Sequence, residues 1–404
     1  MKKLVQMLLI FLVLPPLFSD PAPFQPDIKC YHLKMSDGLS QNAIYSIFQD
    51  RQGFMWFGTT DGLNRFDGYR FRTYLHHPDD DQSINPGWII AIAEDAENKI
   101  WTGSIDRGIS IYNPKSDAFS HLIHDPKNPN SLSSNLVLSI CIDRNQQVWI
   151  ATKQGLNRYD TKTKQFKHYL NTDHPGTISH NYITSAIEDR RGRLWFGTRN
   201  GLNLYNPKND SFTRFKMGNG NWRSNYIRKL YCDSRNNLWI CTYEGLFRRD
   251  AQTGLTSAFF MKKVGEGANY FWDLVEDSQG IIWFSVSNDG KEGIWCMNPE
   301  TRQMKQFKNN LLDPNSLSDN HILRLYKDRS GTLWAGSWTS GLNYFYPSQA
   351  FDHLFRSHDH QTKLIQNKVF AITQDQADQL WVGIYNGGIF RFNQQSREYH
   401  QITP

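Results

Sequence analysis

The chain has 404 residues, 39% hydrophobic and 14% aromatic, with a formal charge of +6. That is enough to bury a large core, as one repeat domain or as two ordinary ones. Two of the positive charges, Lys2 and Lys3, stand at the N-terminus and the rest are scattered without a dense Lys/Arg run, which argues against nucleic acid as a partner.

Met1–Lys3 is followed by an apolar run from Leu4 to Leu14, then Pro15-Pro16 and the small residues Ser19 and Ala22. The run is too short to cross a bilayer comfortably and predicts a secretory leader over residues 1–22. No later run reaches membrane length, so an exported, soluble product with no span beyond the leader is expected. The five cysteines are an odd number without framework spacing. Small buried residues explain them better than disulfides or metal ligands.

From Asp50 onward one phrase returns. It reads Asp50-Arg-Gln-Gly-Phe-Met-Trp56-Phe-Gly58-Thr59, then Gly62-Leu63-Asn64-Arg65-Phe66, and it recurs around Trp101, Trp149, Trp195, Trp239, Trp283, Trp334 and Trp381. An aspartate stands six residues ahead of each tryptophan, and successive tryptophans lie 44 to 51 residues apart. A fixed local spacing with an elastic period is the mark of an array of like modules.

Each copy predicts four short strands. In the first these are Ile44–Phe48, Met55–Thr59, Gly62–Phe66 and Phe71–Tyr74, with turn residues after Asp50. Gly155–Tyr159 with Phe166–Tyr169, and Gly201–Tyr205 with Phe212–Phe215, repeat the last two. Four antiparallel strands per module of this length make an all-β fold of propeller blades, with the tryptophan filling the gap between neighbours.

The segment Ile28–Leu33 has the pattern of a fourth strand and could complete the blade of Trp334, closing a seven-bladed ring over residues 23–349. Phe351–Phe355 then opens a second ring, and residues 350–404 are its first blade. In the competing arrangement Tyr399–Ile402 supplies the last strand of an eight-bladed ring.

The phrase Asn-x-Ile/Val…Asp-x-x-Gly-x-Leu-Trp-Phe/Ile-Gly-Thr-x-x-Gly-Leu-Asn-x-Tyr, clearest over Asn42–Phe66 and Asn181–Tyr205, resembles the two-component regulator propeller repeat. The linkers Asp125–Asn135 and Asp313–Asn320 fit it as well. The resemblance implies the periplasmic sensor region of a bacterial hybrid two-component receptor. Such a region carries two seven-bladed propellers and answers to oligosaccharides, with signalling through shifting blades or a dimer contact. Kinase motifs do not occur in the chain, so it is expected to be a sensor and not itself an enzyme.

Repetition separates scaffold from site. The asparagines eight residues before the aspartate (Asn42, Asn135, Asn181, Asn225, Asn269, Asn320, Asn367) serve the blade, by a side-chain-to-backbone hydrogen bond that launches the inner strand or by a left-handed φ. Function is expected where copies differ, at the start of the inner strand and in the turn between second and third strands. Those places hold Trp88, Arg107, Arg199, Trp222, Tyr243, Tyr270 and Trp338. Flat rings beside amides and charges suit a sugar, whose C–H faces stack while its hydroxyls seek planar partners.

Four residues before the aspartate, Ser46, Ala91, Ser139 and Ser185 give way to Lys229, Asp273 and Arg324, a carboxylate expected near two cations at the channel wall. They form either a structural network or one polar sector of recognition. The turn Val286–Gly293 adds length on the same side. No cofactor, metal ligand set or catalytic motif is written in the chain; the loop His76–Asp81 is a poor metal site. The leading expectation is a ligand sensor, against a channel lyase or hydrolase or a protein-interaction platform.

Overall fold

A computed structural model describes residues 26–218, 220–261, 270–287, 292–347, 369–375, 379–384, 388–393 and 399–402. They fall into two compact units, 1–348 and 349–404. Each copy of the repeat is a four-stranded antiparallel sheet. The first consists of Ile44–Gln49, Met55–Thr59, Leu63–Phe66 and Phe71–Tyr74, hydrogen-bonded in that order. Sheets two to six begin at Ile89, Val137, Ile183, Ile227 and Tyr270 and follow the same order. The second strand of each is buried along nearly its whole length, which is why it reads as a continuous apolar run and not as an alternation.

The spacing of six between aspartate and tryptophan has a direct cause. In all eight copies the tryptophan Nε1–H donates to one carboxylate oxygen, at 2.7 to 3.0 Å. The other oxygen accepts backbone N–H groups of the intervening turn, as Asp50 does from Gly53 and Phe54. One side chain thereby fixes both the hairpin and the ring it carries. In the first unit the indoles fill the spaces between sheets: Trp56 against Tyr74, Tyr112 and Ile89, Trp149 against Phe196 and Tyr205. Each such ring is worth about 2–3 kcal/mol of apolar burial.

The seventh sheet takes three strands, Ile322–Lys327, Leu333–Ser337 and Leu342–Phe345, from the end of the unit and one, Tyr31–Leu33, from its beginning. Tyr31 pairs with Tyr344 and Leu33 with Leu342. The first and seventh sheets then meet as other consecutive pairs do. Gly341 N–H donates to the Asn42 carbonyl at 3.0 Å, as Gly108 does to Asn135 and Gly155 to Asn181. A Cβ on Gly336 would meet Ile44 at 2.7 Å, as one on Gly103 would meet Val137. Arg329 N–H donates to the Gln49 side chain at 2.9 Å, the counterpart of Arg51 to Glu94 and Arg144 to Glu188.

The asparagines do bond to backbone, but not to launch their own strand. Asn42, Asn135, Asn181, Asn225 and Asn320 accept from Met35, His124, Asn171, Met217 and Asn309, each two residues beyond the preceding fourth strand. They pin the outgoing chain to the next sheet. Asn269 and Asn367 lie outside the described residues, as do Phe351–Phe355.

All five cysteines are free; Cys30, Cys241 and Cys296 are buried, Cys141 and Cys232 partly so. Burial pushes the Cys30, Cys141 and Cys296 thiols up to about 12, which keeps them protonated. In the second unit, Val369–Gln374, Gln379–Ile384, Gly388–Asn393 and Tyr399–Ile402 form the eighth sheet, so Tyr399–Ile402 is the last strand of that copy. Its inner strand is exposed throughout, with Phe370 at 73%, whereas inner strands of the first unit are half-buried or better.

Candidate ligand-binding face

The seven innermost strands of the first unit line one cavity of about 370 Å³. Every one carries a register shift near its start: between Ile44 and Ser46, Ile227 and Lys229, Ile322 and Arg324, and at the same level elsewhere. In the sixth sheet the shift falls between Phe271 and Leu274 and takes in Trp272 and Asp273. Such a bulge leaves a residue out of the ladder and re-aims its side chain. Arg228 and Trp272 are placed in this way, and both line the cavity.

The channel charges meet only in part as expected. Lys229 Nζ stands 3.6 Å from an Asp273 carboxylate oxygen. The same carboxylate accepts the backbone N–H of Leu274 at 2.9 Å and of Leu325, across the sheet boundary, at 3.3 Å. Arg324 makes no ion pair with it among the described residues; its guanidinium donates to the Leu323 carbonyl at 2.8 Å. Burial lowers the Arg324 pKa, Asp273 works against that shift, and the like charge of Arg228 adds to it.

At the rim where inner strands begin, sheets four to six bring a chain of rings and guanidiniums together. Arg199 lies 3.7 Å over the Tyr182 ring and donates to the Tyr226 hydroxyl at 3.0 Å. Tyr226 and Tyr243 have centroids 4.3 Å apart, and Tyr270 meets Tyr243 edge-on at 5.0 Å. Arg228 stands 3.8 Å over the Trp272 ring and donates to the Tyr243 hydroxyl at 2.8 Å. Trp222 approaches Tyr243 to 6.2 Å and is 65% exposed. It opens a one-turn helix, Trp222–Asn225, capped by Asn221, whose amide also holds the Glu244 carboxylate. Each cation–π contact contributes about 0.5–2 kcal/mol, so the rings are fixed in place before any ligand arrives.

Of the rim residues expected from sequence, Arg199, Trp222, Tyr243 and Tyr270 thus come together. The others do not join them. Trp88 stacks on Tyr45, Arg107 lies 3.8 Å from its neighbour Asp106, and Trp338 meets His321 edge-on. Arg228 and Trp272 escaped sequence reading because only the slot next to them, Lys229 and Asp273, was compared between copies. The available signal was a tryptophan at the start of the sixth inner strand, Trp272, in a copy that also holds Trp283 and Trp295. Part of the turn Val286–Gly293 lies outside the described residues. Among the described residues no group of metal-ligating side chains occurs. A larger cleft of about 500 Å³, beside Asp95, Lys99 and Lys162, opens at the opposite rim.

The fold is that of solved propellers. The extracellular domain of a hybrid two component system from B. thetaiotaomicron superposes with a TM-score of 0.69 at 24% identity, over 94% of this chain and 55% of that one. A second such domain from the same organism gives 0.66 at 19% identity, over 93% and 54%. The chain therefore spans about half the length of these structures. Over 49 residues it is 51% identical to histidine kinase P4 of Formosa agariphila, a match covering 12% of this chain and 4% of that protein. No described helix is long and apolar enough to cross a membrane. The family described as Two component regulator propeller matches residues 38–61, 131–154, 177–200, 221–244, 265–288 and 316–339. With that repeat found along its length, the chain belongs to the two component regulator propeller proteins.

Proposed function

We propose that this chain is the exported, ligand-sensing part of a two-component receptor and that it recognises an oligosaccharide in the periplasm. The observation that carries the reading is the ladder Tyr182–Arg199–Tyr226–Tyr243–Tyr270 with Trp222 beside it, open to solvent at one rim. Rings held edge-on and tilted by guanidiniums offer stacking faces and hydrogen-bond donors together, which is what a pyranose needs. The names of its relatives, a histidine kinase and extracellular domains of two component systems, favour sensing over catalysis. On this reading residues 1–22 are the leader, the seven sheets up to residue 349 are one closed ring, and residues 350–404 open a second. The bare inner strand of the eighth sheet fits a blade that needs neighbours of its own kind. Ligand binding would act by favouring one arrangement of blades or of paired receptors.

The test is a thermal-shift screen of the full chain against oligosaccharides. A specific stabiliser recovered chemically intact, and lost on Tyr243→Ala, supports sensing at this rim. Absence of any stabiliser, or its consumption, overturns the reading.

A further inference from the structure

The channel wall is chemically lopsided, and the lopsided sector adjoins the ladder. In sheets one to four the slot at the wall is small and uncharged, and its hydroxyls are spent on the neighbouring sheet. Ser46 Oγ donates to the Ile89 carbonyl, and Ser185 Oγ accepts the Leu230 N–H. Sheets five to seven instead bring four cations, Arg228, Lys229, Arg324 and Lys327, to one cavity whose described lining holds one carboxylate, Asp273.

That carboxylate is already occupied. It is 2% exposed, accepts two backbone N–H groups and faces Lys229. Among the described residues neither guanidinium forms an ion pair, and the help that Asp273 gives Arg324 is opposed by burial and by the like charge of Arg228. A guanidinium has five donors. Arg324 places one on the Leu323 carbonyl and Arg228 one on Tyr243. The Trp272 Nε1–H, buried beside them, has no partner among the described residues. Unused donors and an excess of cations over anions among the described residues at one place call for a planar or tetrahedral oxyanion. Tyr243 connects the two regions, since its hydroxyl accepts from Arg228 while its ring packs on Tyr226 and Tyr270.

We propose that the sector formed by Arg228, Arg324 and Trp272 seats the oxyanion of an acidic oligosaccharide, a carboxylate or sulfate ester on the sugar that the aromatic rim holds. This assignment rests on the proposed role of the rim in sugar sensing. Neutral parts of the ligand lie on the rings, and the charged substituent selects among ligands of the same length.

The experiment is isothermal titration of the full chain with three series matched in length: galacturonic acid oligomers, sulfated galactose oligomers and unsulfated galactose oligomers. One acidic series is expected to bind about tenfold or more tighter than the neutral one, and the two acidic arms tell carboxylate from sulfate. The preference should shrink as salt is raised and be lost in Arg324→Gln and in Arg228→Gln. Equal or tighter binding of the neutral series, or a preference that survives both substitutions, overturns the oxyanion seat and leaves sugar sensing standing. Failure of all three series to bind removes both.

Discussion

The indole nitrogen of Trp239 donates to the Asp233 carboxylate at 2.9 Å, inside a core where the ring is wholly buried. The same carboxylate accepts the side chain of Asn237 and the backbone N–H groups of Arg235 and Asn237. Asp233→Ala strands several donors at once and should cost about 3 kcal/mol. Urea unfolding should show a lower midpoint with an unchanged slope.

The pairing of Tyr31–Leu33 with the seventh sheet can be attacked at a single backbone position. Gly341 has φ +80, and a Cβ there would lie 2.3 Å from the Leu33 carbonyl. Gly331 has φ +90 with nothing within 4 Å. Gly331→Ala should therefore cost only the left-handed strain, about 1–2 kcal/mol. Gly341→Ala should cost clearly more and loosen Tyr31–Leu33, seen as new proteolytic cleavage just after Leu33.

Acid should weaken the contact between sheets three and four. Asp210 accepts the hydroxyls of Tyr169 and Tyr205, each at 2.7 Å, and pairs with Lys167. Burial alone would raise its pKa, but the bonds from Lys167 and the tyrosines outweigh that and hold it at about 2, against an ordinary 3.8. A folded value below the unfolded one stabilises above the unfolded pKa and is lost as pH falls through the folded value. The stability gap between wild type and Asp210→Asn should therefore be constant above about pH 5 and narrow as pH falls toward 2, read by urea midpoints across that range.

The rim residues should separate binding from folding. Trp222 is 65% exposed, so Trp222→Ala should change stability by no more than about 0.5 kcal/mol. Affinity for a stabilising oligosaccharide should fall about tenfold in the same variant, measured by titration calorimetry.

What the sequence carried well is what repetition enforces. The sheets, their strand order, the gap-filling tryptophans and the fourth strand at Tyr31–Leu33 all follow from patterns written in several copies, because each blade solves the same packing problem. The asparagines were assigned to the backbone correctly but to the wrong stretch of it: the partner, Met35 for Asn42 or Asn309 for Asn320, belongs to the chain leaving the sheet before. Spacing within a copy cannot reveal a bond made between copies. The site was legible only where loops differ. Arg228 and Trp272 sit at bulges, and whether a bulge residue turns toward the channel depends on the register of its neighbour. Trp88, Arg107 and Trp338 looked equivalent to the ladder residues in sequence, yet their adjoining sheets present no rings that reach them into it.

The pairing of Tyr31 with Tyr344 also imposes an order in time. Of the described strands of the unit, Tyr31–Leu33 is made first and has no partner until the last ones have been made, so six sheets must wait with one open flank. Assembly of such a domain is paced by its slowest, most distant contact, and a chain halted anywhere before Phe345 leaves that opening stretch unclaimed.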